Sequence, residues 1–454
     1  MFKKVEIWIL YLLILFFCFI LVIFGSLVRH KLMGGNSLPL FSKPALFIAE
    51  IPFNIKNLFF VDPLEVHPTD FKDFKDKSGF VGSPSKDNNL LLLSRYDGNI
   101  RQSVVELIDL NNFEILHTWN PDINFINSKT SKFKIKKDIS WTLDLEKDKN
   151  ENRYRIYNPL VLKNGSLIFA DWSPLIKIDV CGNYIWHNDE DLFHHLINID
   201  HNYDYWVASE IYPSEINQLH NLSEENHYWD DAITKISKYG KILYQKSVTE
   251  IFIENNMEHL LFSVGIHYEY DPIHLNDIQP ALEDTKFWKK GDLFLSINNQ
   301  AMIMQFRPST NEIINIITGP FSHQHDVDII SDHEISIFNN KVFNTYKAKN
   351  NEIVIYNFKT NNFSKKFDNS IKELNFFTDG QGLSELDMKN GNMLIEETET
   401  GRLIYLNKNG DLLWEYINKA KNKKMFTLNM SSLITNKNDI DHIKKSINEA
   451  KCLN

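Results

Sequence analysis

Apolar residues are arranged along this chain in two regimes. Ile7 to Val28, IWILYLLILFFCFILVIFGSLV, carries no charge and is almost wholly apolar. At about 1.5 Å of rise per residue it is long enough for the ~30 Å hydrocarbon layer of a bilayer, and it lacks the polar face of a buried core helix. The run predicts one transmembrane helix within residues 1–30. It is too long for a cleaved leader, and no A-x-A-like site closes it. Lys3 and Lys4 flank one end and Arg29 and Lys31 the other, so the basic residues barely orient it. HKLMGGNSLPLFSKP reads as a linker broken by Gly34, Gly35 and Pro39, so residues 31–87 are expected to be linker and entry segment.

From Asn88 the second regime begins, in which short β-type runs alternate with turn residues. One phrase recurs: a strand, a turn with Gly or Asn, and a second strand. It is seen in VVELIDLNNFEILHTW, PLIKIDVCGNYIWH, DAITKISKYGKILYQK, AMIMQFRPSTNEIINI, NEIVIYNFKTNNFSKKF and GRLIYLNKNGDLLWEY. About six units of roughly 45–60 residues match the period of propeller blades. The spacing predicts an all-β, six-bladed propeller over residues 88–417, and no GH…WD pairing marks it as the WD40 type. Residues 127–157 are charge-rich and read as a loop inserted over one face. Residues 418–454 read as a solvated polar tail, although NDIDHIKKSINEA has helical spacing.

Charge and cysteine content narrow the partners. With 49 Lys and Arg against 59 Asp and Glu the chain is mildly acidic, with no basic-aromatic stripe, so no nucleic-acid partner is expected. Of three cysteines, Cys18 lies in the apolar run, while Cys181 and Cys452 are free to pair or stay reduced.

Three histidine settings supply the chemistry: FHHLINIDHN around His194 and His195, DPIHLNDIQP around His274, and SHQHDVDI around His325. Each stands just before or at the opening of a β-type run in a separate unit, as if successive blades aimed imidazoles at one axis. Imidazoles so gathered serve as nucleophile, proton donor or acceptor, or metal ligand. His323 and His325 have the H-x-H spacing that can hold a transition metal, which would suit a metal-dependent hydrolase. No carboxylate or cysteine cluster at fixed spacing accompanies them, and neither a metal nor another cofactor is expected. GQGLSE at 380–385 has no βαβ unit around it, which excludes a dinucleotide loop.

QHD followed by ISIFNN, the D-x-x-H-x-N string at 271–276, and HH opening a strand that ends in YDYWVAS together resemble the arylsulfotransferase family, over roughly residues 88–417. GDLFLSINNQAMIMQF falls between the last two motifs. The resemblance implies a six-bladed propeller that passes a sulfuryl group between phenolic compounds without a nucleotide donor. It implies His325 as the residue that carries the sulfuryl group, and His274 as an aid in binding that group or moving the leaving group's proton. His195 takes the third position, and alternation lets only one of His194 and His195 face inward. Asn276, Gln300 and His194 are candidate substrate contacts. Asn298 stands where the family has an arginine, offering a hydrogen bond but no charge; Arg307, just before Pro308, is a weak substitute. Trp172, Trp206 and Trp288 are candidates to stack on a phenolic ring. The expected partners are a small-molecule sulfate donor and a hydroxyl acceptor. The resemblance also implies a domain outside the cytoplasm, the periplasm for a bacterial host, held by the uncleaved helix. The rival reading is a propeller that kept its histidines as scaffold and binds a sulfated or phenolic ligand, or a partner protein, without turnover.

Overall fold

The computed structural model describes residues 6–32, 38–60, 64–66, 74, 76–130, 151–171, 173–211, 214, 228–262, 271–343, 346–347 and 350–452. The chain divides into two compact units, Met1–Pro63 and Leu64–Asn454. The first holds the helix Ile7–Leu32, whose mean hydropathy of 3.2 over its most apolar window makes it a candidate membrane span. It also holds a second helix, Pro39–Phe60, where the sequence suggested a linker. Pro39 stands at the first helical position, where the missing N–H costs nothing, so it starts the helix instead of breaking the chain. Lys3 and Lys4 lie outside the described residues, as does most of the charge-rich stretch 127–157.

The second unit is a six-bladed propeller in which each blade is an antiparallel sheet. Blade 1 has the strands Ser432–Ile434, Leu90–Asp97, Gln102–Asp109 and Glu114–Trp119, from the axis outwards. Blade 2 runs Tyr157–Val161, Leu167–Ala170, Leu175–Ile178 and Tyr184–Asn188. Blade 3 runs Leu192–Ile199, Tyr205–Glu210, Asp231–Ile236 and Ile242–Ser247. Blade 4 runs Leu275–Pro280, Leu293–Ile297, Met302–Arg307 and Glu312–Thr318. Blade 5 runs Gln324–Ile329, Glu334–Asn339, Glu352–Asn357 and Asn362–Lys366. Blade 6 runs Leu383–Leu386, Met393–Glu397, Arg402–Leu406 and Leu412–Ile417, with Gly79–Gly82 added on its outer edge.

Both faces of every blade are covered by a neighbour, which is why the central strands read as continuous apolar runs. Leu90 and Leu92 point towards blade 2, while Leu91 and Leu93 point towards blade 6. In blade 4, Met302 and Met304 face blade 3 and Ile303 faces blade 5. Six such inter-blade layers close the ring, and the period-2 alternation of a strand feeds two of them at once. Trp206 and Trp288 are buried in these layers, not on a binding face, and Trp172 lies outside the described residues. The recurrent turn is also explained: Asp179, Ser237 and Asn407 each accept backbone N–H groups two and four residues on, and Gly182, Gly240 and Gly410 close those turns at positive φ.

The C-terminal residues depart from the solvated tail suggested by their polarity. Ser432–Ile434 is the innermost strand of blade 1, pairing with Leu90–Leu92. The helix Lys437–Glu449, capped by Asn436, buries Ile440 and Ile443 in the layer between blades 1 and 2. Cys181 and Cys452 form a disulfide that ties the end of this segment to blade 2.

Around the axis the innermost strands are sheet edges, and side chains from adjacent blades satisfy their N–H groups. Asn158 accepts from Ile197 N, Asp231 from Leu275 N, Asp277 from Val327 N, and Asp326 from Ser384 N, at 2.8–3.0 Å. Glu396 accepts from Met430 and Ser431 N, and Glu385 from Leu433 N. These acids lie in a desolvated lumen: burial, with repulsion from neighbouring carboxylates, raises Asp277, Asp326 and Glu385, the last to about 8. Burial likewise pushes Asp328 up to about 7. Carboxyls with raised values stabilise the fold fully below the ordinary carboxylate range, and that stability is lost as pH rises through their folded values. Calorimetry should therefore show Tm falling by a few degrees between about pH 6 and pH 9. The fall should be smaller in Asp328→Asn; equal falls in the two proteins would contradict the assignment.

Candidate functional site

Each innermost strand carries, at or near its start, a residue in the left-handed backbone region. These are Met430 (φ 65°), Asn158 (40°), His195 (61°), His274 (51°), His323 (50°) and Gly382 (128°), in blades 1 to 6. Regular pairing breaks at the histidine-bearing strands. Val207 pairs with Ile197 but Ala208 with His194, so His195 and Leu196 bulge. Asn276 is the extra residue between Leu275–Ile297 and Asp277–Ser296, and His325 and Asp326 bulge between Gln324–Asn339 and Val327–Ile337. Bulges turn side chains out of the sheet's alternation and re-aim them. Here they bring three imidazoles together: His195 lies 5.4 Å from His274 and 6.1 Å from His325, ring centre to ring centre.

Hydrogen bonds settle which nitrogen of His325 is free. Asn340 donates its Nδ2 to the carbonyls of Thr378 and Gln381 (3.3 and 2.9 Å), and carbonyls can only accept. Its Oδ1 is therefore the atom 2.8 Å from His325 Nδ1, and that nitrogen must carry the proton. Nε2 keeps its lone pair. The side chain is 3% exposed, and burial first, with the neighbouring histidines, lowers its pKa to about 4.

His274 differs. Its Nδ1 lies 2.5 Å from Asp271 Oδ2 and its side chain is 38% exposed. Burial works against charge, but the Asp271 bond and the charges of Asp271 and Asp231 outweigh it and raise the pKa. The adjacent turn clamps this pair: Asn298 N donates to His274 O, Asn299 Nδ2 to Asp271 O, and Gln300 Nε2 to Pro272 O, at 2.6–3.1 Å. Gln300 is thus a support for the histidine turn, as is Asn299. Among the described residues Asn298 Oδ1 is buried without a hydrogen-bond partner. Asn276 is buried and gives its amide to Gln324 O, lacing the His274 strand to the His325 strand instead of presenting an open contact.

His195 is held from behind. Its Nδ1 is 2.6 Å from His194 Nδ1, and His194 Nε2 lies 3.0 Å from Asp231 Oδ1. The Asp231 carboxylate beside it favours the proton on His194 Nε2, which lets His194 Nδ1 accept from His195 Nδ1–H and bares His195 Nε2. Burial first, then the surrounding imidazoles, hold the His195 pKa well down. Beside Asp231, burial raises Glu210 to about 9, so it is neutral at pH 7. His194 itself is buried behind His195. Arg307 forks onto Asp292 at 2.7 and 2.8 Å, and His201 is exposed in a turn. His323 is part-buried, and among the described residues no three His, Cys, Asp or Glu side chains gather as metal ligands.

Asp271, Asp231, Asn299 and Asn340 shape this site without having been singled out in the sequence. Asp271 and Asn340 lie inside quoted strings, DPIH and ISIFNN; nothing local marked Asp231, which arrives from another strand.

A six-bladed propeller with three imidazoles converging from consecutive blades defines a histidine-centred propeller. The arylsulfotransferase (ASST) family pattern matches residues 158–419, more than half of the chain, and the chain belongs to the arylsulfotransferase family. That membership supports a sulfotransferase-like function on small molecules. No curated protein matches the sequence. Among solved structures it is similar to a protein of unknown function from Bacteroides caccae (12% identity, 77% of this chain and 100% of that one, TM-score 0.47). It is also similar to the Kuenenia stuttgartiensis hydrazine synthase (10%, 76% and 80%, 0.40) and the Staphylococcus aureus virginiamycin B lyase (11%, 79% and 99%, 0.36).

The tautomer assignment is open to measurement. In 15N-histidine spectra the resonance absent from His325→Asn should keep the neutral, Nδ1–H pattern from about pH 5.5 to 8, and Asn340→Ala should mix the two tautomers. Titration of that resonance near pH 6.5 would contradict it.

Proposed function

We propose that this chain is a membrane-anchored sulfotransferase. It moves a sulfuryl group from an aryl sulfate ester to a phenolic or other hydroxyl acceptor, by a ping-pong route through sulfo-His325. The observation that carries the reading is the Asn340 bond to His325 Nδ1–H, which leaves a neutral imidazole with its Nε2 lone pair free.

In the first half, His325 Nε2 attacks sulfur. The N–S bond forms as the ester S–O bond breaks, and the departing phenolate takes a proton from the His274 imidazolium. The sulfonated ring becomes cationic, so the Nδ1–H bond to Asn340 strengthens as the reaction proceeds. In the second half, His274 receives the acceptor's proton, the acceptor oxygen attacks sulfur, the N–S bond breaks, and His325 returns neutral. His195 Nε2 accepts the hydrogen bond of the incoming acceptor hydroxyl, whose proton turns to His274 as the oxygen attacks sulfur. The transition state is loose, as in phosphoryl transfer, so alignment and charge carry most of the catalysis. Asp271 keeps His274 charged to higher pH than a free imidazole, which suits it as the acid.

Anchoring rests on the apolar helix Ile7–Leu32. The Cys181–Cys452 disulfide favours an oxidising compartment, and so a propeller outside the cytoplasm.

With 4-nitrophenyl sulfate and phenol, the full chain in detergent should release 4-nitrophenol, and intact mass should rise by one SO₃ group when acceptor is left out. His325→Asn should abolish both. Well-folded protein that binds the donor without release would favour the non-catalytic alternative. Because Asp271 raises the His274 pKa, the donor half-reaction should fall off as pH rises through that value. Asp271→Asn should move the limb to lower pH and slow the reaction by roughly a hundredfold; an unmoved limb would remove His274 as the acid.

A further inference from the structure

The three imidazoles come from blades 3, 4 and 5, one half of the ring. Two of them, His195 and His325, are held neutral by burial, and Asn298 brings no charge. Among the described residues the cation at these imidazoles is His274, whose charge leaves with its proton, so the histidine side lacks a permanent one. The other half, from blades 6, 1 and 2, holds one. Arg155 precedes the innermost strand of blade 2, and its guanidinium donates Nε to Asn429 Oδ1 of the blade 1 segment (3.2 Å) and Nη2 to Gln381 Oε1 of the blade 6 segment (2.9 Å).

Its surroundings set it apart. Arg95, Arg307 and Arg402 each hold a carboxylate. Among the described residues the Arg155 guanidinium holds only the two neutral amide oxygens, and Asp171 takes its backbone N–H. It lies over the Tyr157 ring, 4.8 Å from the centroid. Tyr157 packs with Leu196, Leu383 and Met430 in a buried apolar cluster, and Leu196 directly follows His195. Gln381, which holds the guanidinium through its side chain, uses its carbonyl to hold Asn340, the partner of His325. Arg155 and the histidines thus border one buried apolar cluster and are linked through Gln381.

We propose that Arg155 is the anion-binding residue of this centre, its remaining N–H groups taking two oxygens of a tetrahedral sulfur oxyanion. A planar fork with free donors and no carboxylate to displace fits two oxyanion oxygens at once, and a cation at that place stabilises charge on a sulfuryl group in transit. The inference deepens the sulfotransferase reading and rests on it for the identity of the ligand, but the site itself can be tested without turnover.

The probe is inorganic sulfate, titrated calorimetrically into the full chain in detergent. Wild type and His325→Asn should bind it alike, Arg155→Gln at least tenfold more weakly, and Arg155→Lys, which keeps charge without the fork, in between. Equal affinity in wild type and Arg155→Gln, or no binding to wild type at tens of millimolar, would overturn the proposal. Should Arg155→Gln fail to fold, Arg155→Lys decides: a loss of about threefold or more is expected, and an unchanged affinity overturns it. Release of 4-nitrophenol, assayed in parallel, separates the two claims. Arg155-dependent sulfate binding without release leaves the anion site and rejects the transferase, whereas release with Arg155-independent binding does the reverse.

Discussion

The structure depends on what happens at the inner edge of each blade. A sheet edge exposes N–H groups that must find acceptors, and at the axis no further strand is available. The chain answers with acceptors lent by the neighbouring blade, chiefly the carboxylates Asp231, Asp277, Asp326, Glu385 and Glu396 and the amide of Asn158. Each bond joins two blades, so polar contacts hold the inner edges together while the six apolar layers hold the blade faces. Unpaired acceptors in that space would cost several kcal/mol each, which makes the girdle an all-or-none feature.

The same girdle is what makes the site possible. Innermost strands laced to one another cannot slide, and the bulges at His195, Asn276 and His325 therefore aim side chains to a fixed point. Several of the lacing residues adjoin a site residue: Asp326 follows His325, Asp277 is three beyond His274, and Asp231 both accepts from Leu275 N and faces His194. Scaffold and chemistry share a strand and exchange support.

The propeller was legible in the sequence because alternating strands and Asx-type turns are local. Its closure was not, since Ser432–Ile434 is three unremarkable residues that become a strand only against Leu90–Leu92, hundreds of positions away. The polar helix behind it hid two apolar anchors, Ile440 and Ile443, whose burial needs the layer between blades 1 and 2. At the site, the positions of His195, His274 and His325 could be read from recurring motifs, but their protonation could not. Asp271 lies next to His274 in the chain, whereas Asn340, Asp231 and Arg155 reach their places through folding alone. Arg155 in particular lies at the end of a charge-rich stretch that reads as a loop inserted over one face.

Left-handed backbone at the head of each inner strand sets a limit on how such a protein can change over time. Only blade 6 fills that position with glycine; at His195 and His274 a bulky side chain occupies a conformation that costs on the order of 1 kcal/mol. Glycine substitutions there would relax the backbone and remove the imidazoles that the proposed transfer uses. A lineage with no use for those imidazoles could therefore drift towards glycine at a gain in stability.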